Sequence, residues 1–475
     1  MKKTILLILT LAIGAGAKTV WIGQNSAGND NGASAENCHS INWHNASTSW
    51  SATPGTPGKI CPGDTVKFCT DISTNINPVY GGIVGYWIVY NGNMHTFNGL
   101  VNFSSIGDAY FEFDNMNIVC NSEGQSGLGA VFFNGNTDAG SDTTKTANHL
   151  RFNHINSSVA PVPGCVFNLQ FCRHACVNAC TLLNTQTAPI MFQRASTGYD
   201  TVQNCYIAND TTITEDVQMD GIDIGDANNM MIQNNTIINR SVGEGAKLLS
   251  HNDCVEWYAG GGSPSAGPSK ITMRYNTFII NTPKNDNVSW NMLENSTDSI
   301  WIYDNLYVAI RGGRSGNGLN INSSGAGAKI FICNNTFVAI GGGENLFRLS
   351  PSSARLWFKN NIIYDSTSVG TMTQTYSNDS VVASNNCYYS IGTPSKWTIT
   401  ETGSITGNPK FNDKSSNWGL QSSSPCINAG VDAPLGAVYV TDYLRLLRVS
   451  PWDIGAIEHG GISSKKSIRF TVGVK

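Results

Sequence analysis

The chain has 475 residues, of which 13% are charged, about half the globular average of ~25%, and 49 are Gly. This excludes an architecture of long, charge-laced surface helices, and an apolar share of 40% excludes global disorder. A formal charge of -4 leaves no cation excess to neutralise phosphates, so nucleic acid is not the expected partner.

Met1, Lys2 and Lys3 precede an apolar run from Ile5 to Ala12 and then Ala15, Gly16 and Ala17. This reads as a signal peptide cleaved after Ala17; the run is too short to span a bilayer. No later window reaches spanning length, so the expectation is a secreted, extracellular protein, monomeric and without a membrane span. Beyond 1–17, the expected organisation is an N-terminal capping region with the first coils (18–105), a solenoid (106–395), a closing segment (396–462) and a basic tail (463–475).

Thirteen cysteines in an exported chain point to disulfides, and the odd total leaves at least one unpaired. A pair is expected among Cys38, Cys61 and Cys69, in the irregular N-terminal part. Cys172, Cys176 and Cys180, four residues apart beside His174, read as small apolar thiols of a packed interior, because common zinc sites use tighter pairs.

A repeat runs through the middle of the chain. With an Asn as position zero, apolar residues recur five and three before it and two after it, at Asn204, Asn235, Asn276, Asn305, Asn335, Asn361 and Asn386. Only Thr201, three before Asn204, breaks the apolar rule. Successive Asn residues lie 25 to 41 residues apart, in the range of solenoids and propellers. Apolar residues two apart, rich in β-branched and aromatic types, predict strands. The expected fold is all-β, a right-handed parallel β-helix solenoid whose Asn side chains stack from coil to coil at the ~4.8 Å strand spacing. Propeller blades need about 40 or more residues each, more than most of these intervals provide.

A second ladder lies in the gaps of the first. A polar residue is followed two and four residues later by apolar ones: Asp220 by Ile222 and Ile224, Asp253 by Val255 and Trp257, Asp286 by Val288 and Trp290, Asn317 by Leu319 and Ile321, Asn345 by Phe347 and Leu349. Strand alternation then turns Asp223, Glu256, Ser289, Asn320 and Arg348 to solvent. Asp223 and Glu256 are expected side by side on neighbouring coils, roughly 5 Å apart, so that one is protonated or a cation bridges them. Asp220, Asp253 and Asp286 share the inward parity and can equally form a turn ladder. The stretch from Asp253 to the next repeat Asn is 23 residues, the longest of its kind, and Asn235 to Asp253 takes 18 against 10 to 12 in the later coils. These insertions flank one strand, as on the binding face of a solenoid, and one of them holds Lys247 and His251.

A shallow acidic cleft along such a coil suits an extended polysaccharide. In β-elimination of a uronate-containing glycan, Asp220, Asp223, Asp253 and Glu256 would bind Ca²⁺, and Lys247, with His251 behind it, would take the C5 proton. In glycoside hydrolysis, as in a polygalacturonase-like enzyme, carboxylates such as Asp223 and Glu256 would themselves be catalytic. A non-catalytic glycan-binding or adhesive surface protein is the third reading.

The stretch Trp21 to Thr70, with Pro62-Gly63-Asp64-Thr65-Val66, resembles the opening of secreted bacterial right-handed parallel β-helix proteins of the pectate-lyase-like superfamily. Asn408-Pro409-Lys410-Phe411, Ser424-Pro425-Cys426-Ile427-Asn428-Ala429-Gly430, Asp442 with Arg445, and Asp453-Ile454-Gly455-Ala456-Ile457-Glu458 resemble their closing segment. Within that group, Asp220-Gly221-Ile222-Asp223 is similar to the segment that holds Ca²⁺ in family 9 pectate lyases, which implies a metal role for these two Asp residues. Met219 stands where those enzymes carry another Asp, and Ala188 or Met191 where they carry an acid one coil earlier. The resemblance implies the fold more specifically than the reaction, since the group includes lyases, hydrolases and epimerases.

Overall fold

The computed structural model describes residues 17–103, 106–107, 109–119, 131–134, 148–158, 165–170, 172–183, 188–193, 198–209, 220–225, 227–239, 253–258, 269–281, 290–294, 298–311, 317–322, 328–340, 345–350, 354–366, 371–374, 381–390, 401–413, 415–435 and 440–460. All but the last residue of the expected signal peptide (1–17) and all of the expected basic tail (463–475) lie outside them. Among the described residues no helix is long and apolar enough to cross a membrane.

The chain is a right-handed parallel β-helix. One sheet of 24 strands and one of 10 run its length, each strand hydrogen-bonded to its counterpart in the next coil. A typical coil carries Met231–Gln233, a bend, Thr236–Asn239, an excursion, and Val255–Tyr258, before Ile271–Arg274 opens the next. Alternate side chains enter the coil, so Ile232, Ile237, Ile222 and Ile224 stack on Met273, Phe278, Val255 and Trp257. These belong to one continuous apolar core, and its burial is the main stabilising term.

The bend explains the repeat. At this bend a residue adopts the left-handed region, with φ of 57° at Asn234, 53° at Asp304, 54° at Asn334 and 56° at Asn360, which Asn and Asp tolerate best. The following Asn points inward. Asn235, Asn276, Asn305, Asn335 and Asn361 each donate Nδ2 to Oδ1 of the next ladder Asn at 3.0–3.1 Å, and the same Oδ1 accepts a backbone amide. The row ends where Asn386 Nδ2 donates to Glu401 Oε2 at 3.0 Å.

Two registers differ from the sequence reading. Asn204 is the left-handed residue of its coil, φ 58°, and Cys205 holds the ladder slot, its amide donating to Asn235 Oδ1 at 2.9 Å. This shift by one explains the Thr201 exception, since Val202 and Ile207 are the residues that pair with Ile232 and Ile237. In the second ladder, Val255 and Trp257 pair with Asn291 and Leu293 rather than Val288 and Trp290. Met292, not Ser289, is therefore the partner of Glu256. At Asn291, Nδ2 donates to the Tyr307 hydroxyl at 2.9 Å, which satisfies the donor end of this inward amide, while its Oδ1 is buried without a partner among the described residues.

The N-terminal cysteine pair is Cys38–Cys69, and Cys61 is a buried free thiol. Cys172 and Cys180 lie in the apolar core. At the other end the closing segment is latched by Arg448, whose guanidinium reaches Asp304 at 2.5 Å and Glu458 at 3.1 Å, with the Gly455 and Ala456 carbonyls. Asp453 accepts the Asn428 amide and Asp442 the amides of Leu446 and Glu458. The acids of the closing motif thus hold backbone in place.

Candidate active site

The ten-stranded sheet carries the acidic cluster. Asp223 on Ile222–Gly225 and Glu256 on Val255–Tyr258 are directly paired in register, so their side chains leave the same face one coil apart. The expectation that they are solvated is corrected: they are only 7% and 6% exposed. Outward side chains of neighbouring coils pack on one another there. The coil before Asp223 presents Met191 at the paired position, which decides between Ala188 and Met191.

Tyr258 has the same outward parity as Glu256 and is paired with Gly225. Because Gly225 has no side chain, the Tyr258 ring lies over it; a Cβ there would sit 3.4 Å from the ring. The phenol accepts a hydrogen bond from Gln193 Nε2 at 3.2 Å, two coils away, and feels the charge of Asp223. Burial, reinforced by the charge of Asp223, pushes the phenol well above its ordinary range. Gln193 is in turn bonded to Gln170, and Gln170 to Asn168. The acidic pair therefore opens onto a polar row of Gln193, Gln170 and Asn168.

Asp220 and Asp253 sit at the strand entrances and are buried, 1% and 0% exposed. Asp220 Oδ1 accepts the Asp253 amide at 2.7 Å, a coil-to-coil link like that of the Asn ladder. The Gly221 amide donates to the Asp253 carbonyl at 2.8 Å. Gly is required at 221, since a Cβ would meet the Cys254 carbonyl oxygen at 2.5 Å. Burial, with the charges of Asp253 and Glu256 beside it, raises the Asp220 pKa well above the carboxylate range, which favours its protonated form.

Among the described residues no three His, Cys, Asp or Glu side chains form a metal-holding group. Asp220 is engaged with backbone, which leaves Asp223 and Glu256 as the outward carboxylates. Two hard oxygen donors one coil apart fit the bridging of a hard cation, whose remaining oxygen ligands would be water and substrate. Lys247, His251 and Asp286 lie outside the described residues. Sequence reasoning missed Tyr258 and Gln193; the outward parity that selected Glu256 also selects Tyr258, whereas Gln193 carries no comparable mark.

No protein-family model and no curated protein sequence matches the chain. Among solved structures it is similar to the pectate lyase Pel9A, at 12% identity and a TM-score of 0.46 over 94% of this chain and 98% of that one. It is also similar to the family PL6 alginate lyase AlyGC, at 13% and 0.47 over 74% and 52%. A third is PfbA, a surface adhesin of Streptococcus pneumoniae, at 8% and 0.38 over 73% and 84%. At such identities the likeness is one of fold, a parallel β-helix shared by lyases and an adhesin alike.

Proposed function

We propose that the chain is a secreted polysaccharide-degrading enzyme that cleaves a uronate-containing glycan by β-elimination, with its centre at Asp223 and Glu256. The observation that carries this reading is the in-register pair itself. Two carboxyl groups buried together on the outer face are costly unless a cation or substrate group compensates them, so they mark a site built for a charged ligand. Asp223 and Glu256 would hold Ca²⁺, with Asp220 and Asp253 behind them, and the ion would neutralise the sugar carboxylate and so acidify the C5 proton. Lys247, with His251 as the alternative, is the proposed base. Tyr258 stands beside Asp223, and the Gln193, Gln170 and Asn168 row offers amide groups to neighbouring sugar hydroxyls.

A second reading, hydrolysis on the same acids, is favoured by one specific observation, the burial of Asp220 beside the Asp253 and Glu256 carboxylates, which raises its pKa. A carboxyl group kept protonated beside an outward carboxylate is the pattern of a glycosidase acid and its partner. The test is a screen of polygalacturonate, alginate and other uronate polymers with and without Ca²⁺. Near-ultraviolet absorbance of an unsaturated product that EDTA abolishes supports the lyase. New reducing ends without that absorbance support the hydrolase, and glycan binding with neither product overturns both.

A further inference from the structure

A second surface lies on the other sheet. Along the strands Ile271–Arg274, Ile300–Tyr303, Lys329–Cys333, Arg355–Lys359 and Val381–Ser384, the register aligns Thr272, Trp301, Phe331, Trp357 and Val382 in one outward column. Trp301 and Phe331 are stacked with centroids 6.1 Å apart at 6°, and Phe331 and Trp357 at 4.5 Å and 19°. All three are half-buried, whereas the flanking Ile300, Ile302, Ile330, Ile332, Leu356 and Phe358 point into the core. Rings stacked along the coil axis consume one another's faces and turn their edges outward, which makes a continuous apolar strip. Trp301 and, from the closing segment, Ala433 and Leu435 all pack against one apolar cluster of Tyr303, Cys333 and Trp452.

The charge on this face is one-sided. These five strands contain Arg274, Lys329, Arg355 and Lys359 and no Asp or Glu, in a chain where acids outnumber bases 33 to 29. Lys329 and Arg355 are exposed and paired in register on one side of the strip, and Lys359 lies on the other. The Arg355 guanidinium is 5.1 Å from the Trp357 ring centroid, close enough for the ring to position it.

We infer that this strip is a second, non-catalytic binding surface for a carboxylated polysaccharide, which lies along the solenoid axis with sugar C–H faces on the aromatic edges and carboxylates on the flanking cations. A neutral chain would leave the cations unused. A nucleic acid would need open ring faces for its bases, and here stacking has taken them. The surface is on a different sheet from Asp223 and Glu256, so its binding does not depend on the chemistry at that pair.

The test is affinity electrophoresis through gels containing polygalacturonate, alginate or neutral galactan. The full chain carrying Glu256→Gln is compared with the same chain carrying also Trp357→Ala, or also Lys329→Gln with Arg355→Gln. Retardation by a polyuronate that weakens about fivefold or more in Kd in both added variants, with no retardation by galactan, is the expected result. The charge pair is exposed and leaves the core untouched, so it reports on binding even if Trp357→Ala unfolds the strip. The inference is overturned if the charge variant is retarded as strongly as its parent, if galactan retards as strongly as the polyuronates, if single-stranded DNA binds more tightly than either, or if the charge variant changes the oligomeric state seen by light scattering.

Discussion

Asp220 Oδ1 accepts the Asp253 amide at 2.7 Å, although 33 residues separate the two in the chain and each belongs to a different coil. The bond ties the buried entrances of neighbouring strands together. It lies beside the in-register pair of Asp223 and Glu256, where chemistry is proposed.

The burial of Asp220 has a consequence for pH dependence. The folded pKa of Asp220 is raised above its unfolded value, so its contribution to stability is full below the unfolded pKa near 4 and is lost as pH rises toward the folded pKa. Asp220→Asn keeps an acceptor for the Asp253 amide without needing a proton. It is expected to raise the melting temperature at pH 8 relative to wild type and to flatten the melting temperature between pH 5 and 8. An unchanged pH dependence would show that the proton is not held there.

At the paired acids, Glu256→Gln and Asp223→Asn are each expected to lower turnover of the substrate found in the screen by ~10²-fold or more, with the melting temperature unchanged or raised. The measurement is initial rate alongside thermal unfolding. Full activity in both variants would remove the proposed centre.

Tyr258→Phe removes the acceptor of Gln193 Nε2 while preserving the ring over Gly225. The expected loss is about 10-fold in kcat/KM, with near-wild-type stability. If melting temperature falls and activity does not, the phenol only supports packing.

In the Asn ladder, Asn305→Ala orphans the amide of Asn276 and its Nδ2, both of which donate to Asn305 Oδ1, and deprives Asn335 Oδ1 of one donor. The expected cost is about 2–4 kcal/mol in denaturant unfolding. Asn204→Ala, outside the inward row, should cost less than half as much.

The closing segment has its own test. Arg448→Met leaves Asp304 and Glu458 without their buried cation, a change expected to cost about 3–5 kcal/mol. Limited proteolysis should then release the segment after 440 before the solenoid is cut; simultaneous loss of both would show that they unfold as one unit.

Alternation of apolar residues and the recurring Asn were enough to read the parallel coil and to bring Asp223 and Glu256 together, because strand parity and coil period are local properties of a chain. They were not enough to choose between adjacent Asn residues. Asn234-Asn235, Asn334-Asn335, Asn360-Asn361 and Asn385-Asn386 place a left-handed residue beside a ladder residue of the same type, and where a coil has Asn204-Cys205 the pattern slips by one. The register of Asn291 against Val255 was hidden for a related reason: a polar residue fills an inward slot where the Tyr307 hydroxyl, from another strand, accepts from its Nδ2. Stacking of coils alone decides such contacts. It brought Gln193 to Tyr258 across two turns, set the Asp253 amide against Asp220, and lined up Trp301, Phe331 and Trp357 into one strip. Periodicity along the chain determines which face a side chain takes, but excursion lengths between strands differ from coil to coil, and only the folded stack fixes which residues meet across it.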